Sequence, residues 1–174
     1  MKQPELQPAV FQHWNPAVPR QSFECFAKSI HEQARNVLLK GGHHLEEYAF
    51  MLHTGQCYAI IWDDKDRASQ FHWTRKHIHD NNVYGVVHIY EVRIPSPESE
   101  RDHALKGDID GRKRVSVLRF QERADALTIT AETRDGYRHA WTDEILVNEP
   151  DGRLYRGSGM EFVTFEDRFG KMFP

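Results

Sequence analysis

Cysteine is scarce in this sequence, with two residues, Cys25 and Cys57, in a chain of 174. Two cysteines cannot build a disulfide framework, and free thiols in a reducing compartment are the expected state. No stretch approaches the ~18 consecutive apolar residues of a membrane-spanning helix. The amino terminus also lacks the apolar core of a secretory signal peptide. These absences predict a cytoplasmic protein with no membrane partner.

An excess of charge of one sign is also lacking. Lysine and arginine number 23 against 26 for aspartate and glutamate, a formal net charge of -3. Because the charges are so closely balanced, the protein as a whole has no electrostatic field that attracts nucleic acid or anionic lipid. Nucleic acid is therefore not an expected partner. The sequence is instead histidine-rich, with 11 histidines. Because histidine titrates at about pH 6.5, mild acid should change the surface charge strongly.

The length and the 39% content of hydrophobic residues suit one folded domain. Prolines concentrate near the amino terminus, which predicts an extended arm over residues 1–21 followed by a single domain over 22–174. Within that domain, a polar and turn-rich stretch predicts a long loop at about 95–113.

The hydrophobic pattern predicts two helices and a larger number of strands. Apolar residues recur at three- and four-residue steps over about 22–40, and a narrower apolar stripe covers about 67–80. Runs rich in β-branched and aromatic residues predict strands at 45–53, 56–62, 83–94, 115–120, 127–133, 137–147 and 154–165. In the second half, strands follow one another without helices. The sequence therefore predicts an α+β fold, with a mainly antiparallel sheet of about six strands and both helices packed on one face.

Three residues are candidate metal ligands: His44, Glu46 and His88. His44 and Glu46 alternate along a predicted strand and should project to the same side, while His88 lies in the long strand predicted over 83–94. Imidazole and carboxylate groups are suitable ligands for zinc and other divalent ions. A metal-dependent enzyme that uses this His/Glu cluster is one alternative function, with zinc or another divalent metal as its cofactor.

Two short strings resemble the signatures of a known enzyme class. Gly55-Gln56-Cys57 and His139-Ala140-Trp141 resemble the GQC and HAW motifs of transglutaminase-like cysteine enzymes, in the same chain order. The resemblance implies that Cys57 is the nucleophile, His139 the base and Asp151 the group that orients the imidazole. An adjacent imidazole is what converts a thiol into a nucleophilic thiolate. A cysteine hydrolase or transferase is therefore a second alternative function.

A basic run, Arg112, Lys113 and Arg114, is a candidate contact for phosphate or nucleic acid. It lacks the glycines and spacing of a P-loop, so solvated loop charges are the simpler interpretation.

No segment of the sequence brings together a nucleophile, a base and an orienting group, or three well-spaced metal ligands. The main prediction is therefore a non-catalytic binding or self-associating protein with no cofactor. Apolar residues near the two ends of the chain favour the pairing of two copies. These residues are Trp14, Phe162, Phe165, Phe169 and Phe173. The predicted partner is thus a second copy in a homodimer, with another protein as a further possibility.

Overall fold

The computed structural model describes residues 9–39, 46–62, 67–95, 123–148, 153–156, 160–162 and 172–173. Within these residues the chain forms two helices and eight strands. The helices are α1 (Pro19–Leu39) and α2 (Arg67–Asp80). The strands are β1 (Ala9–Val10), β2 (Glu46–Leu52), β3 (Gln56–Trp62), β4 (Val83–Pro95), β5 (Arg123–Thr133), β6 (Arg138–Asn148), β7 (Arg153–Arg156) and β8 (Met160–Phe162). In this described part of the chain, neither helix combines the length and the apolar character needed to cross a bilayer.

The described strands form one sheet, in the order β1-β3-β2-β4-β5-β6-β7, and β8 also pairs with β6. All of the pairings are antiparallel. Six of the described strands have four residues or more, and β1 and β8 are shorter. The predicted α+β fold with a mainly antiparallel sheet is therefore confirmed. The strand predicted at 115–120, and all but the first residue of the loop predicted at about 95–113, lie outside the described residues.

Helix α1 begins at Pro19, three residues before its predicted start. Proline suits the first helical position, because the amide hydrogen that it lacks would have no partner within the helix. Just before the helix, the side chain of Asn15 accepts a hydrogen bond from the amide of Ala17 at 3.0 Å. Ser22, predicted to precede the helix, lies in its first turns, where its hydroxyl oxygen accepts a hydrogen bond from the Asn15 amide at 2.9 Å. Proline and these short polar contacts set the start of α1.

The two helices pack on opposite faces of the sheet, which corrects the prediction that both lie on one face. In β2, Ala49 and Met51 belong to the apolar cluster that contains residues of α1, whereas Tyr48 and Phe50 belong to the cluster that contains residues of α2. Neighbouring residues of a strand point to opposite faces. All four side chains are buried. Both faces of the sheet therefore need cover, and one helix on each face contributes to it.

The core is accordingly divided into two clusters of buried residues. The cluster on the α1 face contains Phe23, Phe26, Ala27, Ala34, Leu38, Ala49, Met51, Tyr84, Val87, Ile89, Leu127, Ile129 and Ala131. The cluster on the α2 face contains Tyr48, Phe50, Ile60, Phe71, Ile78, Val83, Val86, Met172 and Phe173. Burial of these apolar side chains on both faces is the main force that holds the helices to the sheet.

Candidate binding site on the polar face of the sheet

Glu46 and His88 meet on the neighbouring strands β2 and β4. The Nε2 atom of His88 lies 3.0 Å from the Oε1 atom of Glu46. The two side chains are nearly buried, with 8% and 12% of their surfaces exposed. The strand register pairs Tyr48 with His88, and Glu46 precedes Tyr48 by two residues on β2, so it lies on the same face. The structure thus brings together two of the three candidate metal ligands, and the third, His44, lies outside the described residues.

Two tyrosine rings stack on His88. The Tyr48 ring is 4.1 Å from the imidazole at an interplanar angle of 5°, and the Tyr90 ring is 4.4 Å away at 27°. The Tyr48 hydroxyl also donates a hydrogen bond to the Glu46 carboxylate at 3.3 Å. A carboxylate can only accept hydrogen bonds, so Nε2 of His88 carries the hydrogen that points to Glu46. The stacked rings and these hydrogen bonds hold the imidazole in a defined orientation.

Threonines of β5 and β6 extend this polar surface across the sheet. The strand register pairs His88 with Thr130, and Tyr90 with Thr128. Thr128 in turn pairs with Thr142, and their Oγ1 atoms are 3.4 Å apart. All three threonines are buried. Together with the residues around His88, these threonines form the polar face of the sheet. The polar face consists of seven residues: Glu46, Tyr48, His88, Tyr90, Thr128, Thr130 and Thr142.

The polar face differs chemically from the opposite side of the same strands. Val87 and Ile89, the neighbours of His88 in β4, point into the apolar cluster with α1. Burying polar side chains costs free energy unless they form hydrogen bonds with each other or with a ligand. The hydroxyl groups can both donate and accept hydrogen bonds, and the imidazole–carboxylate pair can hold or release a proton. This surface is therefore suited to bind a polar molecule.

The described residues contain no group of three or more histidine, cysteine, aspartate or glutamate side chains that is arranged to hold a metal ion. Glu46 and His88 would supply two ligands of such a site, and zinc in proteins is usually held by three or four.

A second imidazole–carboxylate pair lies on the opposite face, between α1 and β6. The Nε2 atom of His31 lies 2.7 Å from Oδ2 of Asp143, and Nε of Arg35 lies 3.8 Å from the same oxygen. The Trp141 ring stacks on His31 with 5.2 Å between the ring centroids. Neither residue of this pair was predicted from the sequence as a site residue. The available signal is that His31 follows Ala27 by four residues and so falls on the buried stripe of α1.

The structure does not bring Cys57 and His139 together. Cys57 lies on β3 and His139 on β6, with β2, β4 and β5 between them in the sheet. The Cys57 thiol donates a hydrogen bond to the main-chain oxygen of Ala9 at 3.3 Å. Burial raises the pKa of this thiol, whereas a nucleophilic cysteine needs a lowered pKa. Asp151 lies outside the described residues, as do the three residues of the basic run at 112–114.

No known protein family, no curated protein and no solved structure significantly matches this chain. Its function is therefore inferred from the chemistry of the polar face.

Proposed function

We propose that the protein is a non-catalytic binding protein and that its ligand is a small polar molecule seated on the polar face. The contact between Glu46 and His88 carries this proposal, because it places a nearly buried ionisable pair on two adjacent central strands. Ligand sites in proteins combine apolar walls with a few well-placed polar groups. The rings of Tyr48 and Tyr90 supply such walls on the two sides of the imidazole.

The polar face favours a ligand that carries hydroxyl or amide groups. Tyrosine and threonine hydroxyls match such groups, since each can donate one hydrogen bond and accept others. A polyol, a sugar or a nucleoside has the required chemistry.

The placement of the reactive groups favours binding over covalent catalysis. The two imidazole–carboxylate pairs lie on opposite faces of the sheet. The Cys57 thiol lies on β3, close to the edge of the sheet. Nucleophilic catalysis by a thiol needs a base within hydrogen-bonding distance. His139, the base implied by the resemblance to transglutaminase-like enzymes, lies on β6.

A metal-dependent enzyme is the second candidate function, and the contact between Glu46 and His88 favours it. Both side chains are of the types that bind zinc. Zinc or another divalent ion at this point would replace the hydrogen bond between them with two metal–ligand bonds.

Thermal and urea unfolding in the presence of added ligands tests both candidates. The added ligands are polyols, sugars and nucleosides. Zinc chloride alone is tested in a separate set of unfolding experiments. At a concentration 100 times its Kd, a bound ligand raises the free energy of unfolding by about 2.7 kcal/mol. We expect a hydroxylated ligand to stabilise the wild type and the Cys57→Ser control. The same ligand should have little effect on His88→Gln and a reduced effect on Thr130→Val, which removes a single hydroxyl from the polar face.

The outcomes separate the candidates. Stabilisation by zinc with one ion bound per chain, abolished in both Glu46→Gln and His88→Gln, would favour the metal candidate instead. Loss of ligand binding in Cys57→Ser, with binding retained in His88→Gln, would exclude the polar face as the site. If His88→Gln does not fold, the reduced stabilisation of Thr130→Val by the ligand still tests the proposal.

We also propose that two copies of the chain associate through the edge formed by β1 and β3. Among the described residues, β1 pairs with β3 at Gln56 and Cys57, the first two residues of β3. Val10 on β1 is 67% exposed and Ile61 on β3 is 57% exposed. An edge strand with exposed apolar side chains is a surface on which another strand can pair. A twofold pairing of this edge with its copy would give exposed side chains of the edge new cross-strand neighbours.

Ile61→Lys is expected to convert the dimer into a monomer in sedimentation at micromolar concentration, because a charged lysine on an edge strand opposes strand pairing. The matched control is Val37→Lys, which places the same charge on α1 at a residue that is 39% exposed. The control should remain dimeric. A wild-type protein that sediments only as a monomer would refute the proposed dimer.

We further propose that the protein functions in the cytoplasm. Cys25 and Cys57 are both free cysteines, and Cys25 is exposed. A reducing compartment keeps such thiols free.

A further inference from the structure

His77 lies in the last turn of α2, where the helix packs against β2 and β3. Its imidazole stacks on the Trp73 ring, with 4.6 Å between the centroids and an interplanar angle of 12°. It also contacts Phe50 of β2, at a centroid distance of 5.2 Å. Its Nε2 atom lies 2.7 Å from the hydroxyl oxygen of Tyr58 on β3. This one side chain therefore joins the end of α2 to two strands.

The hydrogen bonds of Asn81 indicate which nitrogen of the neutral His77 ring carries the hydrogen. The amide nitrogen Nδ2 of Asn81 donates a hydrogen bond to the main-chain oxygen of His77 at 3.0 Å. The same nitrogen lies 3.1 Å from Nδ1 of the imidazole. Reversing the amide would place two oxygens in contact, so the carbonyl fixes its orientation. Nδ1 therefore accepts a hydrogen bond, and the neutral ring carries its hydrogen on Nε2 and donates it to Tyr58.

Protonation of His77 adds a hydrogen to Nδ1, which then faces the NH2 group of Asn81. Two donors cannot share a hydrogen bond, so either the ring or Asn81 must move. The ring is held against Trp73, and Asn81 leads through Asn82, at φ 50°, into β4. Movement of either one loosens the junction between α2 and the sheet. We propose that His77 is a pH-sensitive latch that holds the end of α2 on the sheet while neutral and releases it when protonated.

The charged groups around His77 are consistent with release of α2 in acid. Burial lowers the pKa of His77, and the Asp80 carboxylate, on the same helix, partly opposes that effect. Lys76 and His79 are both in contact with the Asp80 carboxylate. On β3, burial raises the pKa of Tyr58 to about 12, so this hydroxyl stays neutral at the pH of the latch. The neighbouring rings of Phe50 and Trp73 carry no charge.

The sign of the pH dependence follows from the lowered pKa of His77 in the folded protein. In the unfolded chain a histidine titrates at about pH 6.5. The stability contributed by the neutral ring is complete above that pH. This stability is lost as the pH falls from about 6.5 towards the lower pKa of the folded state. Over this range the released form of the chain binds more protons than the form in which α2 is held on the sheet.

Release of α2 would change the surface on its side of the sheet. Phe71 and Ile78 of α2 pack in one cluster with Phe50 and Ile60 of the sheet. Opening of the helix end would uncover these strand residues together with the half-buried ring of Tyr58. Mild acid should therefore expose an apolar surface that is covered at neutral pH.

Two measurements on the full chain test the latch. The first is an NMR titration of the His77 ring. The second is hydrogen exchange of the α2 amides at pH 7.5 and 5.5, corrected for intrinsic exchange rates and compared with β4 and β5 amides. We expect the ring to titrate below pH 6.5. Between the two pH values, protection of α2 should fall by at most about tenfold, because pH 5.5 lies one unit below the pKa of histidine in the unfolded chain.

Variants separate the latch from general acid sensitivity. His77→Gln keeps a donor that can reach Tyr58 and cannot titrate, so its α2 protection should be the same at both pH values. The control is His79→Gln, which removes a histidine that is 87% exposed two residues away and should behave as the wild type. Asn81→Asp loses the hydrogen bond to the His77 main-chain oxygen, which should lower α2 protection by the same amount at both pH values. Its carboxylate can accept the added hydrogen of Nδ1, so the pKa of His77 should rise and the difference between the two pH values should disappear.

A wild-type ring that titrates at or above pH 6.5 would overturn the proposal. So would an acid-induced loss of α2 protection that persists in His77→Gln. If His77→Gln does not fold, the ring titration of the wild type and the behaviour of Asn81→Asp decide the question.

Discussion

Replacement of Gly85 by alanine is expected to lower the free energy of unfolding by about 3 kcal/mol, as overpacking of a well-filled core does. Gly85 lies in β4 beneath α1. A Cβ atom at this position would lie 2.4 Å from Cε2 and 2.6 Å from Cδ2 of Phe23. Real carbon atoms do not approach so closely, and Phe23 is fully buried, so its ring would have to shift within the core. Urea unfolding monitored by circular dichroism would measure the loss as a lowered midpoint with an unchanged slope.

Gly136→Ala is the matched control. Gly136 has a positive φ of 89°, and an added Cβ atom would meet nothing within 4 Å. This substitution should cost about 1 kcal/mol, through backbone strain alone. In the Gly85→Ala background, Phe23→Leu should restore part of the stability, because the smaller side chain makes room for the added methyl group. If Gly85→Ala costs no more than Gly136→Ala, α1 does not pack on β4 as described.

Asp143→Ala is expected to lower the free energy of unfolding by up to about 3 kcal/mol, the usual effect of leaving a buried hydrogen-bonding group without its partner. Asp143 is 2% exposed, and the substitution would deprive His31 of a hydrogen bond of 2.7 Å and Arg35 of a nearby carboxylate. The loss should weaken the attachment of α1 to β6. Urea unfolding and the hydrogen exchange of α1 amides would measure both effects.

The surface pair of Arg20 and Glu24 provides the comparison. Its atoms are 3.5 Å apart, and the two side chains are 56% and 36% exposed. Glu24→Ala should cost less than about 1 kcal/mol, because exposed ion pairs contribute little. Equal losses in Asp143→Ala and Glu24→Ala would show that the His31–Asp143 contact does not support the fold.

Local patterns predicted most of the secondary structure. The helix predicted over 67–80 is present as Arg67–Asp80, and the strand predicted over 83–94 is present as Val83–Pro95. Gly55 and Gly136 both adopt positive φ in the turns between paired strands, a conformation that glycine adopts readily. These features depend on residues close together in the chain, which is why a sequence pattern can reveal them.

The candidate site was predicted only in part. Glu46 and His88 were recognised as groups of the right chemistry, but their contact joins residues 42 positions apart. The three threonines of the polar face gave no local signal, because each resembles an ordinary strand residue. The His31–Asp143 pair spans 112 positions, and no short motif contains both residues.

By itself, the sequence determined the α+β class, the antiparallel sheet and the approximate bounds of both helices, since backbone preferences and hydrophobic periodicity act over a few residues. Only the tertiary structure decided that the helices cover opposite faces, that Glu46 meets His88 and that Cys57 lies away from His139. Strand order and register decide which distant side chains become neighbours. They result from packing of the whole sheet and are not encoded in any short segment.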